Sequence, residues 1–142
     1  MTIEFNSQND FNFLEQDSFS DWLNFTAENE DLEIGDLSYV FCSDEFLLEL
    51  NKNYLDHDTL TDIITFDYCE DDVINGEIYI STERVHENAV FFDVNFDQEL
   101  KRVIIHGLLH LCGYSDKSDQ EKRIMRSLEE SYIEWFEEQT KN

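Results

Sequence analysis

The feature that most restricts this chain is an apolar run broken only by two histidines and a glycine: Val103-Ile104-Ile105-His106-Gly107-Leu108-Leu109-His110-Leu111, closed by Cys112-Gly113. So apolar a run has to be buried. Its length and its glycine stop predict a helix capped at Asp97, running to about Cys112 and ended by Gly113 in the left-handed conformation. On a helix, residues four apart lie on one face one turn apart, so His106 and His110 share a face. Two unpartnered imidazoles among Ile104, Ile105, Leu108, Leu109 and Leu111 would be costly, whereas two that converge on one cation would not. A zinc–nitrogen distance of about 2.0–2.1 Å leaves little room for other spacings. Behind the glycine break the chain can turn back and offer Asp116 as a third ligand. Three protein ligands leave the fourth tetrahedral position to water, the arrangement of a catalytic rather than a structural zinc site. A lone HxxxH is common in helices, and its other reading is a pair of amphipathic core histidines. The carboxylate behind the glycine stop favours the metal. Position 107 is Gly, so the carboxylate base of an HExxH peptidase is missing, and that class is disfavoured.

The rest of the chain predicts what this helix packs against. Twelve Phe, six Tyr and two Trp in 142 residues are enough for an ordinary core. Residues 2–6 read as a short strand, and Asp17 or Ser18 caps a helix to about Glu30 with Phe19, Trp22, Leu23 and Phe25 facing inward. Leu37–Cys42 is rich in strand formers. Ser43 begins a helix whose Phe46, Leu47, Leu50 and Tyr54 share one face. Ile63–Tyr68 and Glu77–Ile80 read as strands of a hairpin-like pair, with Glu70-Asp71-Asp72 and Asn75-Gly76 forming the connection. Thr82 to about Val90 is a short helix. Ser118-Asp119-Gln120-Glu121 is a capping box for a last helix to about Glu137, with Met125, Leu128, Tyr132 and Phe136 facing inward. No proline, linker or repeat marks a boundary, so residues 1–142 are expected to form one domain. Strands and helices mingle throughout, which predicts an α+β fold with a small sheet.

Charge and cysteine content narrow the function classes. A net charge of −25 repels nucleic acid and anionic membrane and keeps a chain soluble. Seven of the nine basic residues (Arg84, Lys101, Arg102, Lys117, Lys122, Arg123 and Arg126) lie in the stretch 84–126, and a polyanionic substrate would be met there. Cys42, Cys69 and Cys112 are odd in number and widely spaced, which argues against a disulfide framework or a thiolate zinc site. Cys112 reads as a small buried hydrophobe. The opening MTIEFNSQNDF lacks the basic and apolar regions of a signal peptide, and no window reaches the roughly 18 apolar residues of a membrane span. The expected compartment is the cytoplasm.

The pattern His106-Gly107-x-Leu109-His110-Leu111-x-Gly113-Tyr114 resembles the signature of the YbeY family, single-domain zinc-dependent endoribonucleases implicated in ribosomal RNA maturation. The family pattern continues Asp-His, the His being the third zinc ligand; here those positions are Ser115 and Asp116. Upstream, Leu50-Asn51, Tyr54, Asp58 and Thr61-Asp62-Ile63-Ile64-Thr65-Phe66 resemble a second family segment. Its arginine after the tyrosine is Leu55 here, and its proline before the threonine is Leu60. Gly76-Glu77-Ile78, Glu83-Arg84 and Glu87-Asn88-Ala89 also look familial, so the resemblance spans roughly 37–128. It implies a mixed four-stranded sheet flanked by about five helices with the zinc site in a cleft. It also implies a single-strand-type endoribonuclease acting in ribosomal RNA maturation and ribosome quality control, with RNA and possible ribosomal proteins as partners and neither DNA nor membrane.

Arg102 lies one turn before His106, on its face. It is either a surface salt-bridge residue or a phosphate clamp beside the metal, since Arg grips phosphate bidentately; Arg84 has the same two readings. His57 and His86 read as exposed loop histidines rather than fourth ligands. Two other functions stay open: a non-enzymatic ribosome-assembly factor braced by a structural metal, and zinc-dependent hydrolysis of another ester or amide.

Overall fold

The computed structural model describes residues 2–55 and 61–140, so His57, Asp58 and Leu60 lie outside the described residues. Four strands form one sheet: β1 (Thr2–Ser7), β2 (Glu33–Cys42), β3 (Ile63–Asp67) and β4 (Val73–Ser81). Their order is β1-β2-β4-β3. β1, β2 and β4 run parallel, and β3 pairs antiparallel with β4 at the edge. Among the described residues, five helices accompany the sheet: α1 (Gln16–Asn29), α2 (Asp44–Leu55), α3 (Thr82–Phe91), α4 (Phe96–Leu111) and α5 (Asp119–Thr140). This is the mixed four-stranded α+β fold that the sequence predicts.

Alternation along the strands sends successive side chains to opposite faces, and the two faces are covered unequally. Leu37, Tyr39 and Phe41 of β2 and Ile74, Ile78 and Ile80 of β4 enter one large core with Trp22 and Leu23 of α1, the apolar residues of α4, and Met125, Tyr132 and Phe136 of α5. α2 covers part of the other face through a smaller cluster of Cys42, Leu47 and Ile64, flanked by Phe46, Leu50, Phe66 and Tyr79. Helix α4 is the central element: Val103, Ile104, Ile105, Leu108 and Leu109 are all buried, and the Tyr39 hydroxyl donates to the Ile104 carbonyl at 2.9 Å, fastening helix to sheet. On the far side Trp22 stacks on Phe136 with ring centroids 4.5 Å apart, and its indole N–H donates to the Tyr132 carbonyl at 2.9 Å. α1 and α5 are thereby locked together.

Several boundaries differ from the expected ones, each for a local reason. α4 opens on Asn95, not Asp97: Asn95 Oδ1 accepts from the Gln98 backbone N–H at 2.8 Å and Gln98 Oε1 from the Asn95 N–H at 3.2 Å, a complete capping box. Asp97 then sits in the first turn, where negative charge suits the dipole. Asp17 and Ser18 likewise lie inside α1 rather than capping it. Asn75-Gly76 is not part of the turn but lies within β4. The reversal occurs at Glu70–Val73, with Asp71 at φ 53°, and Asn75 Oδ1 accepts from the Asp36 N–H at 2.8 Å. β2 begins four residues early, at Glu33, because Glu33 and Ile34 pair with Val73 and Ile74 of β4. Tyr54, expected on the inner face of α2, is 69% exposed. Cys112 is half-buried against the large core. The expected Ser118–Glu121 capping box forms.

Candidate metal centre

α4 ends where the sequence says it must. Cys112 caps it and Gly113 adopts φ 108°, the region that favours glycine. The chain then reverses over the last turn, so that Tyr114 and Asp116 return to the face carrying His106 and His110. His106 Nε2 lies 2.9 Å from His110 Nε2, and Asp116 Oδ2 lies 3.3 Å from the first and 3.5 Å from the second. Among the described residues these three form a group able to hold a metal ion. Tetrahedral ligands at about 2.0–2.2 Å from zinc stand about 3.3–3.5 Å from one another; the two edges to Asp116 match, and the imidazole–imidazole edge of 2.9 Å is about 0.4 Å shorter.

The far sides of both rings are also held. His106 Nδ1 is 2.5 Å from Glu129 Oε2 of α5, and His110 Nδ1 is 2.9 Å from the Tyr114 carbonyl oxygen. Both partners are acceptors, so each Nδ1 carries a proton, and in the neutral ring Nε2 is the nitrogen left with a lone pair. With both Nε2 atoms unprotonated, two lone pairs 2.9 Å apart beside a carboxylate oxygen repel, and a cation bound among them relieves that repulsion. The donor set, two imidazole nitrogens and a carboxylate oxygen, fits a metal ion. The nitrogens that do not face it are oriented by hydrogen bonds, as is usual for metal-ligating histidines.

Arg102 is held by other side chains of the protein. Its guanidinium makes two bonds to Glu99, Nε to Oε1 at 3.1 Å and Nη2 to Oε2 at 2.5 Å, and Nη1 stands 3.5 Å from Glu129 Oε1. Burial alone would lower its pKa, but the Glu99 and Glu129 carboxylates hold it above its ordinary value. Arg84 pairs with Asp44 at 2.8 Å and Glu87 at 2.5 Å. Asp62, in the second familial segment, has its pKa raised by burial, against the lowering influence of Arg102 and His106, and accepts from Asn88 Nδ2 at 3.4 Å. His86 is exposed, as expected, but stands on α3, stacked on Phe96 at 4.0 Å, rather than in a loop.

The residues that sequence reasoning missed are Glu129, Glu99 and the Tyr114 carbonyl. A signal for Glu129 was present. The buried stripe of α5 is Met125, Glu129, Tyr132 and Phe136, with Leu128 only flanking it. A carboxylate on such a stripe implies a buried partner. Gly107 also finds its reason here: a Cβ at that position would lie 2.9 Å from Ile63 Cδ1 and 3.0 Å from Ile78 Cγ2. The close approach of α4 to β3 and β4 thus makes a side chain at 107 push on Ile63 and Ile78, which suits glycine there.

A family model described as endoribonuclease YbeY matches residues 2–137. A protein named endoribonuclease YbeY from Flavobacterium psychrophilum is 51% identical over 134 residues, covering 94% of this chain and 96% of the relative. One of the same name from Christiangramia forsetii is 49% identical, covering 94% of each. The solution structure of TM1509 from Thermotoga maritima superposes with a TM-score of 0.69 at 30% identity, over 95% of this chain and 89% of that one.

Proposed function

The chain belongs to the YbeY family of endoribonucleases, and from that premise we propose that it is a zinc-dependent nuclease of ribosomal RNA maturation whose metal is held by His106, His110 and Asp116. The observation that supports it most is the convergence of two Nε2 lone pairs and a carboxylate oxygen within 3.5 Å of one another. Zinc in that position supplies a Lewis acid for phosphoryl oxygen and brings the pKa of bound water toward about 7. The protein's own part is to aim both imidazoles, through Glu129 and the Tyr114 carbonyl, and to add one negative charge through Asp116. Lys117, Lys122, Arg123 and Arg126 are exposed on the loop and helix that follow Asp116. They are the cations available to meet an RNA backbone, since Arg84 and Arg102 are engaged by carboxylates. Ribosomal precursor RNA as substrate, ribosomal proteins as neighbours and the cytoplasm as compartment belong to the same proposal. It is supported by the family, by the pattern of basic residues and by the lack, among the described residues, of any helix long and apolar enough to cross a membrane.

Cleavage of a ribosomal precursor RNA by purified protein tests this reading. We expect His106→Ala to lose at least about 100-fold in rate, in line with loss of a catalytic metal, and chelator-treated wild type to regain activity on adding zinc. Metal-free or His106→Ala protein that cuts as fast as wild type would overturn it. The engagement of Arg84 and Arg102 favours the assembly-factor alternative; full complementation in cells by folded His106→Ala would establish it.

A further inference from the structure

Glu129 is 2% exposed, in the middle of the apolar stripe of α5. A carboxylate is almost never buried to that degree unless it is paired. Its Oε2 contacts His106 Nδ1 at 2.5 Å. Oε1 makes no hydrogen bond to the described residues; the Arg102 guanidinium stands 3.5 Å from it and Arg126 Nε 3.8 Å. Arg102 is already engaged by both oxygens of Glu99, which is itself 2% exposed. Two buried carboxylates thus share one half-buried guanidinium. Glu129 meets both the Arg102 and the Arg126 guanidinium at ion-pair distance without a hydrogen bond, and the group it grips directly is a ring whose opposite nitrogen faces the metal position.

We infer that Glu129 is the positioning residue of the metal centre: across 23 residues of sequence it holds His106 in the tautomer and orientation that present Nε2 to the cation, while Arg102 positions Glu129 rather than touching substrate. This rests on the metal reading of the three ligands and extends it to α5. Cation and carboxylate stabilise each other through one imidazole, so each is worth more when the other is present. A merely structural Glu129 behaves differently. Removing its charge would then change the fold and the metal affinity together, or leave both alone. As a positioning residue it separates the two. Gln keeps the volume and an acceptor for Nδ1, and removes a buried charge whose Oε1 has ion pairs at 3.5 and 3.8 Å but no hydrogen bond.

The test compares zinc affinity, by competition with a chromophoric chelator, and melting of the metal-free protein, for wild type, Glu129→Gln and Glu130→Gln. Glu130 is the exposed neighbour and controls for the change in net charge. The expected result is zinc binding about 10–100-fold weaker for Glu129→Gln, no change for Glu130→Gln, and a metal-free Glu129→Gln that melts no lower than wild type. The visible spectrum of the cobalt-substituted variant should shift as well. Equal affinity in the two variants, or an affinity loss matched by a lower metal-free melting temperature, would overturn the inference. Wild type that takes up no zinc would overturn the reading of the three ligands, and this inference with it. A second measurement needs no variant: in zinc-loaded wild type the His106 Nδ1 proton, facing a carboxylate, should resonate downfield of the His110 Nδ1 proton, which faces a carbonyl. Coincident resonances would count against the role.

Discussion

Asp116 stands where the family pattern carries histidine, and the exchange alters charge more than reach. A carboxylate oxygen binds zinc at about 2.0–2.2 Å, close to an imidazole nitrogen, and Asp116 Oδ2 already stands 3.3 Å from His106 Nε2. Asp116→His should therefore retain one metal ion per chain, while Asp116→Ala should lose at least about tenfold in zinc affinity, a missing ligand costing no less than a missing outer hydrogen bond. Competition titration measures both, and unchanged affinity in Asp116→Ala would remove this residue from the ligand set. These three side chains were legible in the sequence because helical spacing and a glycine stop are local rules. Glu129 was less so: its place on the α5 stripe is a signal, but its partner lies on another helix, and the nearby Leu128 fits an apolar stripe equally well on paper. The Tyr114 carbonyl could not be read from residue types at all, since any residue carries one. Arg102 was placed on the correct face, but its engagement by Glu99 depends on burial that the sequence does not state.

Elements carry the site because α4 lies unusually close to the sheet. Gly107 permits that approach, and Gly107→Glu would set a carboxylate against Ile63 and Ile78. We expect a loss of about 3 kcal/mol or more in stability, a buried unpaired charge adding to overpacking, read as the midpoint of chemical denaturation of metal-free protein. An unchanged midpoint would mean that α4 can move away from the sheet. A second connection ties the loop after α4 to the end of α1. Glu30, which caps α1, accepts hydrogen bonds from the hydroxyls of Tyr114, at 2.6 Å, and Tyr132. The hydrogen bond to the Glu30 carboxylate, then burial, pushes the Tyr114 phenol up to about 12. A phenol raised in the folded state binds its proton more tightly there than in the unfolded chain. Its contribution is present below a pH of about 10, the ordinary value, and is lost as pH rises toward about 12. Denaturation midpoints should fall across that window, and Glu30→Gln should make the fall shallower; identical slopes would show that the tether does not contribute. Helices and strands themselves were readable from periodicity, and the hairpin-like pairing of β3 with β4 was anticipated. Their ends were less so, because Asn95 outcompetes Asp97 as a cap through a reciprocal bond with Gln98, and Asn75-Gly76 resembles a turn until Asp36 is seen to need the Asn75 side chain.

At the scale of the whole molecule, charge sets the terms on which RNA can be met. The net charge is −25, yet residues 101–126 hold six basic and three acidic residues, and Asp116 with the last turn of α4 falls in that stretch. The exposed members Lys117, Lys122, Arg123 and Arg126 allow about four phosphate contacts, so log affinity for single-stranded RNA should fall with log salt at a slope of about −3. Exchanging all four for Gln should flatten that slope. A wild-type slope near zero, or one unchanged in the variant, would place the RNA elsewhere. The most direct test of the central claim is anomalous diffraction at the zinc edge from crystals of protein loaded with one equivalent of zinc. The account predicts one peak bonded at about 2.0–2.2 Å to His106 Nε2, His110 Nε2 and an Asp116 carboxylate oxygen. A map with no peak there, or with those side chains turned away from a common centre, would contradict it.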